Sequence, residues 1–176
     1  HPLPESRQVV DEVVFQDVFL PETALLGTEG NGWEQVTAEL ANERSGPERF
    51  LSSFAVVVEL VRALGPDPSD EAAAAVGRLV AHFATLRRLS RSVAGMLQTG
   101  SEPALQAALV KDLGAVLEQE IPEIARRIVA SEPSLDAADD FSAVLAYTLL
   151  AAPSFSLRGG TREILRGIIA RGLELR

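Results

Sequence analysis

The sequence predicts an all-α protein: an up-down four-helix bundle with a short C-terminal helix and a short N-terminal β-strand stub. Three observations predict it. Ala and Leu are abundant while aromatic residues make up only 5%, a balance that favours helix over sheet. From Gly32 onward apolar residues recur at helical spacing in long stretches. Only residues 8–20 break that pattern, being β-branched and aromatic with partial alternation.

Gln8 to Leu20 therefore read as one or two short strands ending before Pro21. Such a strand needs a sheet to pair with, and nothing else in the sequence offers one. Trp33, Val36, Leu40, Phe50, Phe54, Val57, Val58 and Val61 then trace a long amphipathic segment to about Leu64. Pro47 interrupts it, because its ring would clash with the carbonyl of Glu43, so a kink or break is expected there. After Gly65-Pro66-Asp67-Pro68, Ser69 caps a second helix over 70–98, with Val76, Leu79, Val80, Phe83, Leu86, Val93, Met96 and Leu97 inward. Thr99-Gly100 ends it. Ser101 caps a third helix over 102–130, with Leu105, Leu109, Leu113, Val116, Leu117, Ile124 and Ile128 inward and a bend expected at Pro122. Ser134 opens a fourth helix over 135–151, lined by Phe141, Val144, Leu145 and Leu149 and stopped by Pro153. A short helix over 161–173 closes the chain.

With 176 residues, 47% of them apolar and 23% charged, the composition is that of a globular chain able to build a core. The net charge of −9 repels nucleic acid and anionic membranes, so neither is an expected partner. Cysteine is absent, which excludes disulfides and thiol catalysis, and cytoplasmic localisation is the expectation. His1 and His82 are too few for a His-rich metal site, and no metal is expected. No apolar run approaches the roughly 20 residues needed to span a bilayer. His1-Pro2-Leu3-Pro4 lacks the plan of a signal peptide, and the chain reads as part of something longer.

The most informative run is Arg158-Gly159-Gly160-Thr161-Arg162-Glu163-Ile164-Leu165-Arg166-Gly167-Ile168-Ile169-Ala170-Arg171. Ile164, Leu165, Ile168 and Ile169 bury one face of a helix whose start Thr161 can cap. The glycines permit close backbone approach, and a helix N-terminus suits a phosphate. This run resembles the C-terminal signature of the acyl-CoA dehydrogenases, flavin enzymes that desaturate acyl-CoA thioesters. Three more stretches resemble the same family in the same order. Residues 11–21 are similar to the last strands of its middle β domain. Residues 26–33 are similar to its link into the C-terminal bundle. Ala41-Asn42-Glu43-Arg44 is similar to its Glu-Arg step on the first long helix.

The resemblance implies a division into residues 1–30, a remnant of the middle β domain and linker, and residues 31–176, the C-terminal helical bundle. It implies FAD as cofactor, held by this subunit or shared with a partner subunit, an acyl-CoA substrate, and a homo- or hetero-oligomer, dimer or tetramer. Desaturation needs a base for the α-proton and a hydride acceptor. Many family members carry the base immediately before the Gly-Thr of the closing signature, where this chain has Gly159. Others carry it on the first bundle helix beside an Arg, which matches Glu43 beside Arg44. Glu43 is thus the expected catalytic base. Gly160, Thr161 and Glu163 match cofactor-binding positions, and Arg44 and Arg171 are the substrate-binding candidates.

Each assignment has a plainer alternative. Glu43 can be a solvated helix residue, Thr161 a simple cap, Arg171 a last-turn cation favoured by the helix dipole, and Arg44 a partner of Glu48 at i+4. His82 is expected to be structural or half-exposed. Two flavin-binding stretches also depart from the family pattern: the acidic loop Gly65-Pro66-Asp67-Pro68-Ser69-Asp70, and Ala130-Ser131-Glu132-Pro133-Ser134. The leading expectation is the C-terminal part of an acyl-CoA dehydrogenase, inactive alone. The alternatives are a non-catalytic or half-catalytic partner subunit of a mixed oligomer, and a helical protein-interaction module.

Overall fold

A computed structural model of the chain describes residues 12–175. Among them are six α-helices, three short 3-10 turns and no strand. The chain divides into two compact units, His1–Gln35 and Val36–Arg176. The division falls within α1 (Gly32–Ser45).

In the first unit, described residues 12–20 form no strand, contrary to expectation, and 8–11 lie outside the described residues. The physical reason is the one the sequence raised: strand hydrogen bonds need a neighbouring strand. Val13, Val14, Phe15 and Phe19 are exposed, and a 3-10 turn at Glu22–Ala24 follows.

The second unit is an all-helical bundle. The expected break at Pro47 is complete: α1 ends at Ser45, Pro47–Arg49 forms a 3-10 turn with Pro at its start, and α2 (Phe54–Leu64) begins afresh. α3 (Asp70–Gln98) is capped as expected, with Ser69 Oγ accepting from the Ala72 N–H at 3.3 Å. α4 (Ala104–Ile128) starts at Pro103 rather than at Ser101, whose hydroxyl pairs with Thr99. α5 (Asp140–Ala151) begins five residues later than read. Asp139, not Ser134, is its cap, with Oδ1 accepting from the Ser142 N–H at 2.8 Å. A 3-10 turn (Ala152–Ser156) and α6 (Arg162–Gly172) complete the chain.

α4 is the hub: α2, α3, α5, α6 and two of the 3-10 turns all pack on it. Leu60, Leu79, Leu145 and Leu165 from the surrounding helices and Ile121 of α4 itself are fully buried, each contributing roughly 1.5–3 kcal/mol of apolar transfer. Packed on by so many elements, α4 buries small residues, Ala107, Gly114, Ala115 and Ala125, together with Leu117 of the expected stripe, while Ile124 and Ile128 pack partly buried against the core. Leu113 is exposed, as are Trp33, Val36, Val61, Val80 and Ile164, all expected inward. Phe54 and Phe83 meet edge-to-face at 5.3 Å across α2 and α3. No described helix is long and apolar enough to cross a membrane.

Candidate functional site

Two prolines shape the centre of the molecule. Pro47 has no N–H to give the carbonyl four residues back, on Glu43. That carbonyl is taken instead by Arg49 Nε at 2.8 Å. Pro122 likewise deprives the Glu118 carbonyl, and the buried Ser53 hydroxyl donates to it at 2.7 Å. Segment 46–53 is thus pinned at both ends by side chains that answer freed backbone acceptors. It lies so close to α4 that a Cβ on Gly114 would stand 2.3 Å from the Arg49 carbonyl oxygen.

Glu43 and Arg44 face the Gly159–Gly160 turn. Arg44 is buried, and its Nε–H donates to the Gly159 carbonyl at 2.8 Å. Burial pushes the Arg44 pKa down, with the neighbouring Glu43 charge acting against it. Arg44 therefore does not pair with Glu48, which faces Arg49 Nε at 3.6 Å. Gly159 and Gly160 have φ of +76° and +112°, a region that suits glycine. A Cβ on Gly159 would lie 3.3 Å from Glu43 Oε1, and one on Gly160 3.6 Å from Arg44 Nη2. The Glu43 side chain is 44% exposed, and its Oε1 accepts from Arg49 Nη2 at 2.6 Å. Three of the sequence candidates, Glu43, Arg44 and Gly160, are thus brought together.

Thr161 occupies the start of α6 with extended backbone, yet its hydroxyl caps no helix N–H, which corrects the reading of Thr161 as a simple cap. It interacts instead with the Glu163 carboxylate. That carboxylate also takes its own backbone N–H, and both interactions lower its pKa. Arg171 lies at the opposite end of α6 from Gly160 and is exposed. His82 is also exposed, on α3.

Four charged residues that the sequence reading passed over underlie the turn. Lys111 and Glu118 are both fully buried. Lys111 Nζ donates to the Phe155 carbonyl at 2.5 Å. Glu118 Oε1 accepts from the Ser52 N–H at 2.8 Å, and its Oε2 pairs with Arg158 Nη2 at 3.2 Å. Arg158 stacks over the Phe155 ring at 4.8 Å and also donates to Ser52 Oγ. Arg49 is the fourth.

An open groove of about 560 Å³ lies elsewhere in this unit. Arg78, Val116, Ile124, Arg127 and Arg162 are among its lining residues, and none of the sequence candidates lines it.

Whether this chain fits a flavin dinucleotide can be judged by its donors. A pyrophosphate wants unoccupied helix N–H groups and cations. The α6 N-terminus holds the Glu163 carboxylate. The first turn of α3 carries Asp70 and Glu71. Across the 130–134 stretch, the Ser131 hydroxyl is engaged with the Ser142 hydroxyl. These groups do not fit a pyrophosphate.

No family model matches the chain. Among curated proteins, it is 26% identical over 164 residues to "Acyl-CoA dehydrogenase FadE34" of Mycobacterium tuberculosis. That alignment takes in 93% of this chain and 22% of the relative, so the chain spans about a fifth of the length of the curated protein it matches. The similarity thus points to the acyl-CoA dehydrogenases across nearly all of these residues.

Proposed function

We propose that this chain is the C-terminal bundle of an acyl-CoA dehydrogenase and that Glu43 is the base that takes the α-proton of an acyl-CoA thioester. The observation that carries this reading is the meeting of Glu43 and Gly159. The family resemblance offers two alternative places for the base, and their proximity supports the reading: Glu43 Oε1 stands 3.3 Å from where a side chain would begin on Gly159. Glycine there leaves room for the carboxylate arriving from α1. Arg44, anchored on the Gly159 carbonyl, holds the two segments in register and sets a cation beside the expected thioester. Proton transfer requires Glu43 to part from Arg49, which its half-exposed position allows.

The carboxylates at the α3 and α6 N-termini favour a second reading at the level of assembly. On it, the residues that hold the FAD pyrophosphate lie outside this chain, in the rest of the protein or in a partner subunit of a mixed oligomer. Only the proton step is assigned to this chain.

The test is exchange of the thioester α-hydrogen with solvent deuterium, followed by mass spectrometry in the flavin-loaded full-length protein. Glu43→Gln should abolish exchange while leaving thioester affinity within a few-fold, since a positioned base contributes about 10²–10⁴-fold. Exchange at the parent rate in Glu43→Gln would remove Glu43 from the role.

A further inference from the structure

Lys111 is the sole lysine of the sequence, against fifteen arginines, and it is fully buried. Lysine is among the residues least often found there unless paired. Glu118, two turns further along the same face of α4, is fully buried too. No salt bridge joins the two, since Glu118 pairs with Arg158, and burying charged groups is costly. The pair therefore calls for another account, and its contacts supply one.

Between them the two residues reach both segments of the candidate site. Lys111 holds the Phe155 carbonyl. Glu118 holds Arg158 through one oxygen and the Ser52 amide through the other. Its own carbonyl holds Ser53, and Arg158 bridges back to Ser52. Segment 46–53 carries Arg49, which grips Glu43. Segment 152–160 carries Gly159, which Arg44 grips. The segment that carries Gly159 and the segment whose Arg49 holds Glu43 are thus both tied to these two residues of α4.

We propose that Lys111 and Glu118 are positioning residues that hold the Gly159 turn and the Arg49 segment in the register where Glu43 and Arg44 face Gly159. Their service to proton abstraction rests on the reading above, whereas the positioning itself does not.

The test reads the guanidinium Nε–H of Arg44 by ¹⁵N NMR, since that hydrogen is the donor to Gly159. The Nε–H of Arg162, which donates to Asp112 of the same helix at 2.8 Å, is the control. Single Arg→Lys substitutions assign the two signals. In Lys111→Met the Arg44 Nε–H should exchange with solvent at least tenfold faster, with Arg162 unchanged within twofold. If Lys111→Met does not fold, Glu118→Gln takes its place. It keeps the volume and the acceptor for Ser52, but sets an amide donor against Arg158 and should release the turn in the same way. Arg44 protection unchanged in the folded variant, or lost equally at Arg162, would overturn the proposal. Neither flavin nor thioester enters this measurement, so it stands or falls separately from the dehydrogenase reading. In the flavin-loaded full-length protein the same variant should slow α-hydrogen exchange at least tenfold with thioester affinity within twofold. Exchange at the parent rate would refute the catalytic part alone.

Discussion

Arg49 grips Glu43 twice: its Nε–H donates to the backbone carbonyl at 2.8 Å and its Nη2 to the carboxylate at 2.6 Å. The first contact is structural, since it satisfies the acceptor that Pro47 left open. The second sets the direction of the carboxylate. One side chain thus couples the break between α1 and α2 to the orientation of the proposed base.

The two contacts are separable by mutation. Glu43→Gln loses a half-exposed ion pair, worth no more than about 1 kcal/mol. Arg49→Met loses the buried guanidinium and leaves the Glu43 carbonyl without its partner, which should cost about 2–3 kcal/mol. Urea unfolding of both variants checks the order. Equal losses would mean that the backbone contact carries no weight.

Gly114 and Gly77 should respond to alanine in opposite directions. In a helix interior, Gly→Ala ordinarily stabilises by about 1 kcal/mol. Gly77 lies exposed on α3 with nothing within 4 Å of an added Cβ, so Gly77→Ala should gain about that much. At Gly114 the added Cβ would strike the Arg49 carbonyl oxygen at 2.3 Å. Backbone cannot rotate aside as a side chain can, so Gly114→Ala should lose 1–3 kcal/mol, as in an overpacked core. Thermal melts of the two variants give the comparison directly.

Burial lowers the Lys111 pKa from 10.5 to about 8, against the pull of Glu118. Arg158 and Arg49 lower it further, and Asp112 partly offsets them. Below about pH 8 the ammonium is charged in both folded and unfolded chains, and burial penalises the fold. Between about pH 8 and 10.5 the unfolded chain binds the extra proton, so stability rises with pH across that window, by up to roughly 3 kcal/mol. The neutral amine can still donate to Phe155, so the turn keeps its tie. Urea midpoints from pH 7 to pH 10.5 should climb in the parent chain and stay level in Lys111→Met. A parent midpoint that falls over that range would contradict the burial of Lys111.

Much of the fold was legible in the sequence because its signals are local. Ser69 before an acidic first turn and Thr99-Gly100 at the end placed α3 correctly, and Pro47 announced a break that the structure makes complete. The start of α5 was misread because Ser134 and Asp139 are both good cap residues, and only packing selects Asp139. The inward face of α4 was read only in part: Leu117 is buried as expected, with Ile124 and Ile128 against the core, but a second row was missed. The buried row runs Ala107, Lys111, Gly114, Glu118, Ile121 and Ala125, and two charges in it disguise a core position. That spacing of four and three is the signal in the sequence that points to the two residues. Glu43, Arg44 and Gly160 were found by resemblance to a motif. Arg49 and Arg158 were not, since the carbonyl and carboxylate they satisfy become neighbours only after folding.

The last prediction concerns Ser53 and Pro122, which meet through the carbonyl of Glu118. Ser53→Ala leaves that buried carbonyl with no donor, at a cost of about 1–3 kcal/mol. Pro122→Ala restores the N–H that an α-helix would direct to the same oxygen. Pro122→Ala also gives α4 a better helix former. The double variant should therefore be less damaged than the sum of the single variants, with a coupling of about 0.5–2 kcal/mol in a double-mutant cycle. Strict additivity would show that the Ser53 hydroxyl is not what completes the Glu118 carbonyl. A coupling of the expected size would show that a proline inside a buried helix can specify a tertiary contact by withholding one hydrogen bond.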